Sequence, residues 1–311
     1  MSLAPFVRIV ARGKGRARTM TMAEAQEAMR IVLRGDAAPE ALGALLMVMR
    51  LRGETPDEIA GFTAALRAHV TGELPKADLD WPSYAAGRSR GAPLFLLAAR
   101  LVGQAGYSIS MHGWNSHQAS SASVREVIDL AGPQVVYTPL ETLSSAAFHV
   151  LNLRDTLGLR SCFNTVLRMW NPSGAGATVQ GVFHPSYRSL QAQAAEMLGQ
   201  QDLSIIKGGG GEFERHPSKD IIVFGLRDGG HIQKAAAPLL DDTRRLHQTG
   251  DNIDLHALWH GSVDDPFAIA TVIGTAALAL WTLKAAPTFL EADEMARSLW
   301  DRRFQTEGLS A

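Results

Sequence analysis

The residues best suited to chemistry lie in two turns. His112 and Asn115 sit in HGWNS, directly after an apolar stretch that reads as a strand, Tyr107 to Met111. The following Ser/Ala-rich segment reads as the start of a helix, with Ser116, Ser120, Ser121 and Ser123 able to cap it. A polar turn there lies at the carboxyl end of a strand, where ligands collect in open α/β sheets. The free amides of a helix start attract anions. The second turn, Gly208 to Gly211, leads into Glu212 and Glu214. Four glycines let a phosphate- or sugar-bearing ligand approach the backbone closely. Two carboxylates at that spacing could share a magnesium ion, which takes oxygen ligands. The pattern fits neither the dinucleotide fingerprint nor the P-loop. His112, His117, His149 and His184 match no compact zinc spacing, and no G-x-S-x-G elbow or H-E-x-x-H helix occurs.

The other chemistry-bearing residues are basic. Arg8, Arg12, Lys14, Arg16 and Arg18 fall within the first eighteen residues with no acid among them, and Arg88 and Arg90 form a second pair. Such a local surplus suits an anionic partner. Arg154, Arg160 and Arg168 fall near expected helix ends, where a guanidinium offers paired donors to a carboxylate or phosphate. Arg168 reads as solvent-facing.

The elements that must position these groups follow from the pattern. Helices are expected from Thr21, with Glu24 completing a capping box, to Leu33; over Glu40–Arg52; and from Thr55 to about Val70. Residues 73–82, with Pro75, Asp78, Asp80 and Pro82, read as a linker. Beyond it come helices over Leu94–Val102, Leu143–Thr156, Ser161–Trp170 and Tyr187–Leu198. Strands are expected over Val135–Tyr137, Val179–Phe183, Leu203–Lys207 and Asp220–Phe224. Residues 232–261 look irregular, and helices Pro266–Thr282 and Leu290–Arg303 close the chain. Alternating strands and helices imply a central, mostly parallel sheet flanked by helices.

The 311 residues carry 30 Lys and Arg against 31 Asp and Glu, so nucleic acid would have to be bound through a local patch rather than overall charge. One cysteine, Cys162, permits no internal disulfide and suits a cytoplasmic setting. The apolar run Ala268–Leu283 is too short for a membrane span, and no membrane partner is expected.

Several segments, in order, resemble the anthranilate phosphoribosyltransferases of glycosyltransferase family 3: residues 20–67, SMHGWN, LRDTLGLRSCFN, NPSG, VQGVFHPSY and GGGGEFE. The resemblance is nearest to that family's nonclassical, nucleic-acid-binding relatives, which share a basic N-terminal run and the Pro82–Ser83–Tyr84 signature. It implies the class III nucleoside phosphorylase/phosphoribosyltransferase-like fold. A helical domain over residues 1–72, with about 140–165 packing on it, would stand beside an α/β domain over 73–311. The helical part would carry a homodimer. His112, Gly113, Asn115, Arg154 and Asn171 would mark an inherited phosphate and acceptor site, with Arg154 facing an acceptor carboxylate. The departures lie in the family's phosphate and metal motifs. Tyr84 to Arg90 replace a Gly-Thr-Gly-Gly-Asp loop, Trp114 and Asn115 replace Asn-Arg, and Phe213 replaces an aspartate beside Glu214. On this basis the chain is expected to be a degenerate transferase that binds DNA or RNA backbone through Arg8, Arg12, Lys14, Arg16, Arg18, Arg88 and Arg90. No cofactor is then needed. The alternative is an active phosphoribosyl- or pentosyltransferase with an altered acceptor, using phosphoribosyl pyrophosphate and magnesium at Glu212 and Glu214.

Overall fold

The computed structural model describes residues 2–13, 15–69, 74–84, 91–114, 123–241, 244–246 and 253–305. It opens with helices α1 (Ala4–Ala11), α2 (Met22–Leu33), α3 (Pro39–Arg52) and α4 (Pro56–Arg67). Local chemistry fixes two of the starts. The Thr21 hydroxyl accepts from the Glu24 amide at 3.2 Å, and the Glu24 carboxylate accepts from the Thr21 amide at 2.9 Å. Thr55 and Glu58 form the same box on α4. Glu58 is fully buried and also accepts from the Met20 amide at 2.9 Å and from Arg52 at 2.5 Å. One carboxylate thus ties the α2 approach, the end of α3 and the start of α4 together.

The sheet follows the order β3-β2-β1-β4-β5-β6-β7. Its strands are β1 (Leu79–Ser83), β2 (Ile109–Gly113), β3 (Val135–Pro139), β4 (Ala177–Val182), β5 (Asp202–Lys207), β6 (Ile221–Arg227) and β7 (Gly230–Ala236). The five strands from β3 to β5 are parallel, and the β6–β7 hairpin is antiparallel. The remaining helices are α5 (Phe95–Gln104), α6 (Leu140–Leu143), α7 (Ser145–Leu157), α8 (Phe163–Arg168), α9 (Tyr187–Met197), α10 (Leu255–His260), α11 (Pro266–Thr282) and α12 (Phe289–Asp301). The expected mostly parallel sheet flanked by helices is therefore present.

Alternation along the strands sends side chains into two apolar clusters. One joins Trp81, Phe95, Phe213, Trp259 and Trp281 behind the sheet, with α5, α11 and α12. The other joins Leu45, Phe62, Tyr84, Phe163, Trp170 and Ile205, so α3, α4 and α8 share a core with the opposite face of the sheet. Asp265 starts α11 by accepting from the Phe267 and Ala268 amides at 3.0 Å each. Nearly all of that helix is buried. No helix among the described residues is long and apolar enough to cross a membrane.

Three expectations are corrected. Part of the supposed linker is the central strand β1. Its Pro82 is tolerated because β1 pairs with β4 only at Leu79 and Asp80, so the missing amide falls beyond the end of that ladder. The helix expected after the HGWNS turn is, from Ser123 onward, a set of turns and a short 3-10 segment, Ile128–Ala131; residues 115–122 lie outside the described residues. The irregular region 232–261 contains most of β7 and all of α10.

Candidate functional site

Strand order reverses between β1 and β4, which places a crevice outside their carboxyl ends. Two described segments leave the sheet there, residues 183–186 after β4 and Gly208–Gly211 after β5. Residues 85–90 and 115–122, which follow β1 and β2 in the sequence, lie outside the described residues, and with them Arg88, Arg90 and Asn115.

Beneath this edge runs a buried polar chain. The Tyr84 hydroxyl lies 2.7 Å from His112 Nδ1. The other ring nitrogen, Nε2, is 3.2 Å from Asp80 Oδ1, close enough to interact electrostatically but off the line of a hydrogen bond. Asp80 Oδ2 accepts from the Thr178 hydroxyl at 3.0 Å. Asp80 and His112 are fully buried, and Trp170 packs edge-on against the imidazole at 6.0 Å. Burial pushes the Tyr84 phenol well above its usual range, with the Tyr137 and Asp80 charges acting in the same direction. Tyr84 therefore stays a neutral O–H at ordinary pH. His112 does not open to solvent. Its environment is set by β1, β2 and the α8–β4 connection.

Gly113 has a packing reason to be glycine. A Cβ there would run into the Ser83 backbone carbonyl, which accepts from the Trp114 amide at 3.2 Å. Trp114 is mostly buried and packs edge-on against Phe148. The Arg154 guanidinium lies 5.4 Å from the centre of the Trp114 ring, and its Nε is 3.4 Å from Asp155. Arg154 and Arg50 both depress the Arg160 pKa, after burial, so three arginines gather near the α7–α8 turn. Asn171 holds a positive φ of 50°. Its amide accepts from and donates to Ala175 at 2.9 and 2.8 Å and donates to Gln200 at 3.1 Å, locking the loop into β4.

Beyond β5, Phe213 turns inward and packs edge-on against Trp81 at 5.6 Å. Its neighbours Glu212 and Glu214 are buried, and Glu214 Oε1 accepts from the Phe95 amide at 3.2 Å, at the start of α5. Two carboxylates on one turn at the sheet's carboxyl edge match the one or two carboxylates that hold magnesium on a substrate phosphate. No group of three or more metal-binding side chains occurs among the described residues.

The N-terminal basic residues are not drawn into this edge. Arg8, Arg12 and Arg16 are exposed, while Arg18 makes two 2.6 Å contacts to the Glu24 carboxylate, whose negative charge offsets its own. Lys14 lies outside the described residues. Arg168 is not solvent-facing: it is 5% exposed. Asp80 and the buried Gln191 are not flagged as site residues by the sequence; Tyr84 enters there only through the Pro82–Ser83–Tyr84 signature and the replaced loop, and Arg168 only as a solvent-facing arginine. A strand reading of LDWPS would have flagged Asp80 as a carboxylate inside the sheet.

A family model described as "Glycosyl transferase family, helical bundle domain" matches residues 6–70. The anthranilate phosphoribosyltransferase of Deinococcus radiodurans is 32% identical over 247 residues, covering 73% of this chain and 70% of that protein. That of Chromobacterium violaceum is 27% identical over 301 residues, covering 88% and 87%. The structure of anthranilate phosphoribosyltransferase from Thermus thermophilus superposes with a TM-score of 0.77 at 25% identity, covering 91% of this chain and 92% of that one. The Saccharomyces cerevisiae enzyme, solved with PRPP and Mg, shares the fold with a TM-score of 0.72 at 15% identity, covering 96% and 93%.

These likenesses overturn the expected degenerate nucleic-acid binder. Similarity to anthranilate phosphoribosyltransferases is consistent across relatives and runs over most of the chain, and it favours the transferase alternative. The expectation that no cofactor is needed is corrected as well, since a protein of the same fold is solved with PRPP and Mg, and the Glu212–Glu214 turn has the oxygen chemistry that magnesium prefers.

Proposed function

Since the chain belongs to the anthranilate phosphoribosyltransferase family, we propose that it is an active phosphoribosyl- or pentosyltransferase whose acceptor differs from anthranilate. The 32% identity to the Deinococcus radiodurans enzyme over 70% of its length carries this reading. The altered acceptor is supported by Trp114, which stands where the resemblance places the family's asparagine and packs beside the Arg154 guanidinium. In this reading Mg²⁺-bound phosphoribosyl pyrophosphate is the first substrate and lies across the carboxyl ends of β1, β2 and β5. The acceptor nitrogen attacks the anomeric carbon, the bond from that carbon to pyrophosphate breaks, and the nitrogen releases its proton. Glu212 and Glu214 would hold the metal side of the substrate, and magnesium bound there would supply the charge that neutralises the leaving pyrophosphate. Tyr84, His112 and Asp80 act as positioning residues that fix the ends of β1 and β2, and most of the protein's work is to align the two reactants.

The same reading divides the chain at residues 72 and 73, with about 140–165 belonging to the helical side. Cys162 and Phe163 support this by packing in one cluster with α2–α4. It also includes a homodimer through the helical face, where Leu51 is 92% exposed. Light scattering reading a single chain mass at micromolar concentration would remove the dimer.

The test is pyrophosphate release from phosphoribosyl pyrophosphate and Mg²⁺ with a panel of aromatic amines and N-heterocycles that includes anthranilate. The expected result is magnesium-dependent release with an acceptor other than anthranilate. No release with any acceptor, together with no calorimetric binding of Mg²⁺–phosphoribosyl pyrophosphate, would refute the proposal.

A further inference from the structure

One cavity, at the β4 side of the crevice, is lined by none of the residues to which the transferase reading gives a role. It encloses about 320 Å³ between α8, the start of α9 and the carboxyl end of β4, with Arg50 of α3 on its wall. Its described lining includes Arg50, Arg160, Arg168 and His184 and contains no Asp or Glu. None of Tyr84, His112, Glu212 or Glu214 contributes to it. Two lining residues carry buried polar atoms without hydrogen-bond partners. These are Arg168, through Nη2, and Gln191, through both amide atoms. Arg168 is 5% exposed and Gln191 is fully buried. Interiors seldom leave such groups orphaned, and two on one wall mark a place that a ligand completes.

Burial and the Arg160 charge lower the Arg168 pKa, while Glu212 opposes them from outside the cavity wall. Arginine nevertheless stays ionised. The Arg50 guanidinium donates to the Arg160 carbonyl at 2.6 Å and braces the segment that carries Arg160. Leu159 and Phe183 are 49% and 50% exposed and offer apolar surface beside the charged wall.

We infer that this cavity is a binding site for a small organic phosphomonoester. Arg168 and Arg160 hold its anion, Gln191 meets its oxygens, and Leu159 and Phe183 cover its apolar portion. A lone carboxylate offers one charge and two oxygens to this set. A phosphomonoester offers about two charges and three acceptor oxygens, and the arginine fork matches that geometry. The volume, at the small end of ligand pockets, limits the organic part to about one ring.

The test uses the full chain with no phosphoribosyl pyrophosphate or magnesium present, so its outcome is independent of the transferase assay. Calorimetry compares phenyl phosphate, inorganic phosphate and benzoate. Phenyl phosphate should bind most tightly and benzoate most weakly. Arg168→Met should weaken phenyl phosphate by roughly ten- to hundredfold, the loss of one charge-assisted contact. The unliganded variant should melt no lower than the parent, because it loses a buried charged group with an orphaned nitrogen. Should that variant fold poorly, Arg160→Ala and Gln191→Leu carry the same binding test. No binding of phenyl phosphate to the parent, equal affinity for benzoate, or unchanged affinity in the folded variants would overturn the assignment.

Discussion

Gly181→Ala offers a sharp test of the site geometry. Gly181 is in β4, and its backbone faces the turn that carries both carboxylates. A Cβ built there would lie 2.5 Å from the Phe213 amide nitrogen and closer still to the Glu212 carbonyl. Ordinary contact begins at 3.4 Å, so the Phe213 amide alone requires the turn to withdraw by 0.9 Å (3.4 − 2.5) and the Glu212 carbonyl requires more. Overpacking of this size costs roughly 1–3 kcal/mol of stability. The effect on catalysis should be larger. A shift of about 1 Å in positioning groups is worth on the order of 100-fold in rate, and here Glu212 and Glu214 move together. The assay is steady-state pyrophosphate release at saturating Mg²⁺, with urea unfolding followed by tryptophan fluorescence alongside it. The expected variant folds, loses about 100-fold in kcat/KM and needs more magnesium for half-maximal rate. Parent-like activity and magnesium dependence in a folded variant would show that the turn does not carry the metal side of the substrate.

Other perturbations have equally definite outcomes. Glu58→Ala should cost about 3–5 kcal/mol in denaturant unfolding, because it leaves a buried set of donors, with Arg52, unmatched; a loss below about 1 kcal/mol would refute the linking role of this carboxylate. The Arg18 pair lowers the Glu24 pKa from 4.5 to about 2. Its stabilisation is therefore complete above the unfolded value and disappears as pH falls toward 2. Solvent screening limits that contribution to under about 1 kcal/mol, and Glu24→Gln should flatten the acid limb in this window without changing stability at pH 7 by more. Burial raises the Cys162 thiol well above its usual range. The native protein should resist iodoacetamide at pH 8 and label only on unfolding; rapid native labelling would contradict the buried position.

The legible parts of the fold were those encoded locally. Thr21 with Glu24 and Thr55 with Glu58 announce helix starts within four residues, and Asp265–Pro266 does the same for α11. β1 was illegible because its signals are tertiary. Asp80 is tolerable in a buried strand only with Thr178 and His112 beside it, and Pro82 only because the β4 ladder stops at Asp80. For the site, the glycine turn and Glu212 with Glu214 could be read from type and spacing. Arg168 and Gln191 could not, since only packing reveals that a polar side chain on a helix faces a cavity. The basic N-terminal run misled because charge counted along the chain ignores the Arg18–Glu24 pair.

The shared core of the helices and the sheet has a mechanical consequence. Leu45 and Phe62 belong to the same apolar cluster as Tyr84, Val182 and Ile205, so the bundle is welded to the sheet rather than hung beside it. Swinging one away from the other would wet that whole surface, and relative motion is cheap only across small or polar contacts. Substitutions that loosen the bundle should therefore weaken the whole fold, the sheet included, rather than release a separately moving lobe.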